Sequence, residues 1–147
     1  MSLTEAFENK MTDLQIAKNN LAGHTICLCR DGVCLYSESR GIAPMMNFIG
    51  GGTALAGYSV ADIVVGKAAA LLFVKCGIKN VFAKTLSEHG KRILELYGIN
   101  YEYEVLTEAI INRAGTDICP MEKAVLNTDN PEEAYLILKN KLEQLAK

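Results

Sequence analysis

A charged residue inside an apolar run is the first feature of the sequence that could do chemistry. Residues 61–74 read ADIVVGKAAALLFV and carry Asp62, Gly66 and Lys67 near their start. An ammonium group in such a segment either reaches water along its aliphatic stem or meets an anion in a cleft. Gly66 leaves room for a ligand or for tight packing. Asp62, Gly66 and Lys67 are therefore candidate ligand-binding residues, and Lys67 is also a candidate catalytic residue.

A second group lies in the segment DICPMEK, residues 117–123. Pro120 is typical of a first helical position, so Cys119 is expected near a helix N-terminus, where a thiolate is stabilised. Glu122 could cap the same helix. A nucleophile also needs a base, and the sequence places neither His24 nor His89 beside Cys119. Cys119 and Glu122 are candidate catalytic residues, with purely structural roles left open.

Three consecutive glycines, Gly50, Gly51 and Gly52, form the third candidate. Such a run lets a backbone approach a ligand closely, but it also serves as a flexible connector, and it lacks the G-x-G-x-x-G spacing of a dinucleotide site. A P-loop is excluded, because Ala61 stands where its first glycine is required and Ala68 follows Lys67. We treat the three glycines as candidate ligand contacts.

The composition limits the classes of function. The 147 residues suit one domain, residues 1–147, of which 1–10 could form a flexible N-terminal extension. Half the residues are hydrophobic and the net charge is -2, with no basic stripe for nucleic acid and no run that could span a bilayer. The polar start, MSLTEAFENK, does not read as an export signal. We expect a cytoplasmic protein with a small-molecule ligand, no nucleic-acid partner and no membrane partner.

Five cysteines without a C-x-x-C pair predict free thiols in such a protein. Asp31-Gly32 is a strong hairpin-turn signal, and this register sets Cys29 opposite Cys34 and Cys27 opposite Tyr36. Three thiols then share one face, as either a metal or redox site or as small packing residues. Because buried cysteine usually behaves as a small apolar residue, we expect packing, with no metal and no cofactor.

Secondary-structure signals predict an α/β fold. Both faces of the hairpin are apolar, which requires helices above and below the sheet and favours a three-layer α/β/α sandwich. Ser59 and Asp62 have capping-box spacing, predicting a helix from there to about Cys76. The other predicted elements are a helix over about 3–21, a strand at KNVFAKTL, a helix at SEHGKRILELYG, a near-edge strand at NYEYEVL, a short helix from Pro120 and a final helix capped by Asn130.

The segments VADIVVGKAAALL and CPMEKAV resemble a small bacterial family of unknown function within the cytidine deaminase-like superfamily. The resemblance extends from about Leu14 to the C-terminus. It implies a deaminase-like mixed sheet that begins with an antiparallel hairpin, and a homo-oligomer. Zinc deaminases carry H-A-E or C-A-E followed by P-C-x-x-C, but the corresponding segments here, 65–67 and 85–90, lack those ligands. We therefore expect no classical zinc-dependent deamination.

Two functions follow from the resemblance and the candidate residues. The first is binding of a nucleotide or nucleotide-derived ligand in the deaminase-equivalent cleft. The alternative is a metal-independent hydrolase or deaminase-like enzyme acting on a nucleobase or nucleotide. A self-associating structural subunit is a third possibility, because Tyr135, Leu138, Leu142 and Leu145 form an apolar stripe on the last helix.

Overall fold

A five-stranded mixed sheet organises the part of the chain that the computed structural model describes, residues 11–146. The strands are β1 (Ile26–Arg30), β2 (Val33–Ser37), β3 (Ser59–Val65), β4 (Asn80–Ser87) and β5 (Asn100–Thr107). They lie in the order β2-β1-β3-β4-β5. β1 is antiparallel to both β2 and β3, whereas β3, β4 and β5 are parallel. The predicted mixed sheet with an initial hairpin is confirmed. β5 forms one edge of the sheet, and β2 of the hairpin, which was expected to be covered on both faces, forms the other edge and is partly exposed.

Six helices accompany the sheet in these residues. They are α1 (Asp13–Asn19), α2 (Ala43–Gly50), α3 (Lys67–Cys76), α4 (Glu88–Leu96), α5 (Pro120–Ala124) and α6 (Pro131–Leu145). Ser87 caps α4 and Asn130 caps α6, both through their side chains, as predicted. The first helix was predicted over about 3–21, and its residues 3–10 lie outside the described residues. Among the described residues only Asp13–Asn19, helix α1, is helical.

The helix predicted from Ser59 is wrong in its first half. Residues Ser59–Val65 form the central strand β3, and Asp62 lies opposite Ile26 of β1, so it closes no capping box. A strand buried between two neighbours is apolar on both faces and shows no alternation, so its pattern resembles a buried helix. Lys67 is the first residue of α3 and does not lie in a second helical turn.

Two apolar clusters form the core. The larger one joins α3 and α6 to the sheet, and the smaller one lies beneath α1. Tyr135, Leu138 and Leu142 of the C-terminal stripe pack on the larger cluster, while Leu145 is 57% exposed. Most of that stripe is therefore used within the chain and gives little support to self-association.

The cysteine pairing across the hairpin is as predicted, with Cys29 facing Cys34 and Cys27 facing Tyr36. The expectation of five free thiols is wrong, because Cys29 and Cys34 form a disulfide whose Cα atoms are 4.2 Å apart across the strands. Cys27, Cys76 and Cys119 are free. Burial raises the pKa of the Cys27 thiol to about 11, which is consistent with an unreactive thiol.

Candidate functional site

The junction between β3 and α3 holds a buried carboxylate from a distant part of the chain. The backbone N–H groups of Lys67 and Ala68 each donate to an oxygen of Glu122 at 2.7 Å. Glu122 is 6% exposed and caps α3, not its own helix as the sequence suggested. Burial raises the pKa of Glu122, and the two N–H bonds oppose that rise. The unpaired amides of a helix N-terminus are thereby satisfied by an internal anion.

Gly66 is the residue that allows this carboxylate to approach. A Cβ atom at position 66 would lie 2.1 Å from Oε1 of Glu122 and 2.5 Å from its Cδ. The φ angle of Gly66 is -106°, which any residue adopts, so space and not backbone conformation requires the glycine. Gly66 could have made room for a ligand or for tight packing. The structure shows tight packing, against the carboxylate of Glu122.

Lys67 meets an anion supplied by the chain itself. Its side chain is 2% exposed, and Nζ donates to the Leu126 carbonyl at 2.9 Å and lies 3.0 Å from Oδ1 of Asp129. Arg92 donates to both oxygens of the same carboxylate. Hydrogen bonds from Arg92 and then Lys67 hold the pKa of Asp129 well below its usual range. Lys67 therefore connects the start of α3 to the segment that precedes α6.

A cleft lies beside this junction and consists of two adjoining cavities that share Gly41 and Val64. The first, a slot of about 80 Å³, is lined by Gly66, Cys119 and Glu122, among others. The second, of about 200 Å³, is lined by Thr25, Arg40, Gly41, Asp62, Ile63 and Val64. Of the predicted site residues, Asp62 lines the second cavity, and Gly66, Cys119 and Glu122 line the first. Lys67 lines neither.

Asp62 is the buried acid of the larger cavity. It is 7% exposed, and the Val64 N–H donates to its Oδ1 at 3.4 Å. Burial raises the pKa of Asp62 to about 8, opposed by the backbone amides of Val64 and Ile63. At neutral pH most molecules carry a protonated Asp62, which both donates and accepts a hydrogen bond.

The three glycines occupy another region. Gly50 ends α2, Gly51 follows it, and Gly52 lines a separate cavity with Thr53 and Lys75, among others. None of the three lines the cleft.

Two parts of this region were not predicted from the sequence. Thr25 and Arg40 carry no motif, although Thr25 could have been found from the strand register, since it precedes Ile26, the partner of Asp62. Arg92 and Asp129 are 37 residues apart. No local pattern connects that pair.

Fold and cleft define a mixed α/β protein whose candidate site lies where its central strand meets the following helix. The chain belongs to the DUF1893 family, a domain of unknown function, whose family model matches residues 16–142. A crystal structure of a DUF1893 family protein from Thermotoga maritima is similar, with 26% identity and a TM-score of 0.75. The alignment covers 94% of this chain and 86% of the other. No curated protein matches the sequence.

Membrane insertion through a helix has no support in residues 11–146, where every helix is too short or too polar to cross a bilayer.

Asp62 is expected to make stability depend on pH. Its pKa rises from an ordinary 3.8 to about 8 in the folded chain, so the folded state keeps a proton that the unfolded state loses. Stability should therefore fall between about pH 4 and pH 8, by about 1.4 kcal/mol per pH unit from this group. The Asp62→Asn variant has no carboxyl at this position and does not lose this stability. Its free energy of unfolding relative to wild type should therefore increase as the pH rises from about 4 to about 8. Urea unfolding at pH 5 and pH 8 measures the difference.

Asp117 provides the control. It is an exposed acid whose pKa is lowered by Lys123, so it titrates below the same window. Asp117→Asn should differ from wild type equally at both pH values. An Asp62→Asn difference that also stays constant would show that Asp62 is ionised throughout.

Proposed function

We propose that the protein binds a nucleobase or a nucleotide-derived ligand in the cleft, on a deaminase-like scaffold. The observation that carries the proposal is the nearly buried carboxyl of Asp62, which lines a cavity that shares Gly41 and Val64 with the slot at Gly66 and whose pKa burial raises to about 8. The antiparallel β1-β2 pair followed by parallel β3-β4-β5 also supports a deaminase-like arrangement.

Recognition of the base would rest on Asp62. A neutral carboxyl presents an O–H donor and a C=O acceptor side by side, which complements the amide or amidine edge of a nucleobase. The slot is walled mainly by apolar groups, including Val64, Ile110 and Met121. An apolar cavity with a few polar groups is the usual form of a small-molecule site.

A phosphate would lie near Arg40 and not at the helix. The N-terminus of α3 already binds Glu122, so its first amides are not free for an anion. Arg40 lines the cavity that holds Asp62 and is exposed. The proposed contacts are therefore Asp62, Gly66 and Arg40, and the glycine run and Lys67 take no direct part.

Cys119 favours the alternative, a metal-independent enzyme acting on such a base, because it lines the same slot as Glu122. Both oxygens of Glu122 accept backbone hydrogen bonds, however, so Glu122 would have to leave α3 to move a proton freely. Zinc does not fit the cleft: in residues 11–146 the only three close metal-ligating side chains are Cys27, Cys29 and Cys34. Binding is the better supported function.

Thermal shift and calorimetry at pH 7 against nucleobases, nucleosides, nucleotides, NAD and ADP-ribose test the proposal. We expect at least one ligand to stabilise the protein, Asp62→Ala to abolish the shift, and Asp62→Asn to retain it, because an amide also offers one donor and one acceptor. The absence of any shift, or an equal shift in Asp62→Ala, would contradict the proposal.

Two further variants test the proposed phosphate contact at Arg40 and the alternative function as an enzyme. Arg40→Ala should weaken binding of a phosphorylated ligand about tenfold, the effect of one charge-assisted hydrogen bond, while the exposed Arg113→Ala should not. Ammonia release from a bound base that disappears in Cys119→Ser would favour the enzyme instead.

A further inference from the structure

Three sulfur atoms converge on the face of the sheet covered by α1. The Sγ atoms of Cys27, Cys29 and Cys34 all lie within 4.8 Å of one another. Cys27 and Cys29 are fully buried, Cys34 is half-buried, and the Cys27 and Cys29 sulfurs are 3.6 Å apart. None of the three lines the cleft.

The strand pairing produces this cluster. Cys27 and Cys29 are alternate residues of β1 and so point to one face, and Cys34 is directly opposite Cys29 on β2. The surrounding buried side chains are apolar: Ala17, Leu21, Ala61 and Phe82. These walls offer no oxygen or nitrogen ligand, and a water on the side of the half-buried Cys34 would supply the fourth ligand that a Zn²⁺-class cation takes.

We propose that, in the reduced protein, Cys27, Cys29 and Cys34 bind one thiophilic divalent cation of the Zn²⁺ class through three thiolates. Thiolate sulfur is the ligand that such cations prefer. The proposal departs from the expectation from sequence that these cysteines serve only in packing.

The geometry suits this cation. With Zn–S bonds of about 2.3 Å, ligand sulfurs lie about 3.8 to 4.0 Å apart. The Cys27–Cys29 separation of 3.6 Å is already close to that value. After reduction of the Cys29–Cys34 bond the two sulfurs cannot stay at bonding distance, and Cys34 needs only to move away from Cys29 to reach the same separation.

The disulfide and the cation exclude each other. Each thiol that binds the metal gives its proton to solvent and becomes a thiolate, so binding releases three protons. A disulfide sulfur has no thiolate charge, and the disulfide form seen here keeps only Cys27 as a thiol ligand. Reduction of the disulfide to two thiols is therefore required for binding, with two electrons and two protons supplied by a dithiol reductant that is itself oxidised to a disulfide.

Titration of the reduced full-length protein with Cd²⁺ tests the proposal. Cd²⁺ is a thiophilic probe whose bonds to thiolates absorb in the ultraviolet. We expect one Cd²⁺ per chain by absorbance and native mass spectrometry, displacement by excess Zn²⁺, and no such band in protein oxidised with diamide. Equal absorbance in the reduced and oxidised wild type would overturn the proposal. That comparison needs no substitution and so holds even where a variant fails to fold.

The two remaining cysteines serve as matched controls. Cys27→Ser, Cys29→Ser and Cys34→Ser should each weaken binding by at least about tenfold, since even residues that only orient a ligand contribute that much. Cys76→Ser and Cys119→Ser should bind as the wild type does. Equal weakening in these two controls would show that the cation binds elsewhere.

Discussion

Gly66→Ala is expected to destabilise the protein by about 2 to 4 kcal/mol. The added methyl group would lie 2.1 Å from Oε1 of Glu122, closer than any non-bonded contact allows. Because the carboxylate is the end of a flexible side chain, it can move away, but it then abandons the amides of Lys67 and Ala68. The cost is therefore the loss of two charge-assisted hydrogen bonds in a buried place. Urea unfolding measures it.

A double-mutant cycle identifies the cause. Combined with Glu122→Ala, the Gly66 substitution should cost much less than it does alone, because no carboxylate remains to be displaced. Gly50→Ala is the control: a Cβ there meets no atom within 4 Å, and its φ is not positive, so its stability should stay close to wild type. Additive effects of the Gly66 and Glu122 substitutions would mean that another contact is responsible.

Lys67→Ala is expected to cost about 2 to 5 kcal/mol. The substitution leaves a cavity and removes the hydrogen bond to the Leu126 carbonyl, and Asp129 loses a partner that is 2% exposed. Lys67→Met restores most of the volume but not the ammonium group, so it should lie between alanine and wild type. Denaturant unfolding of the three proteins separates the contribution of packing from that of the charge.

Lys75 is a matched control on the same helix. It pairs with Glu132 of α6, but Glu132 is 72% exposed, and such pairs contribute at most about 1 kcal/mol. Lys75→Ala should therefore be much milder than Lys67→Ala. If the two substitutions cost the same, burial of the Lys67 ammonium group adds nothing to the stability of the protein.

Local signals explain which elements could be predicted from sequence. The hairpin at Asp31-Gly32 and the helices that begin after Ser87 and Asn130 are specified by turn and capping residues next to them in the chain, and all three are present. A helix was predicted in place of strand β3, because the burial of β3 depends on neighbouring strands from other parts of the sequence. Within Val60–Val65, four β-branched residues were the available hint of a strand.

The candidate site also combines features that local residue types predict with contacts that depend on distant parts of the chain. Residue type was enough to select Asp62, Gly66, Cys119 and Glu122, which line two adjoining cavities. Their contacts could not be predicted, because Glu122 lies 55 residues from the helix it caps. The anion that the Lys67 ammonium group meets is likewise supplied by a residue distant in sequence, Asp129.

The capping of α3 by Glu122 has a consequence for folding order. During synthesis, α3 emerges from the ribosome before residues 120–129. Until those residues follow, its N-terminal amides lack Glu122 and the Lys67 ammonium group lacks Asp129. Closing a loop of this length costs entropy that only later contacts offset. The segment from Pro120 onward, about the last fifth of the chain, is therefore needed to complete the central β3-α3 unit, and a nascent chain that stops before Pro120 cannot reach the native core.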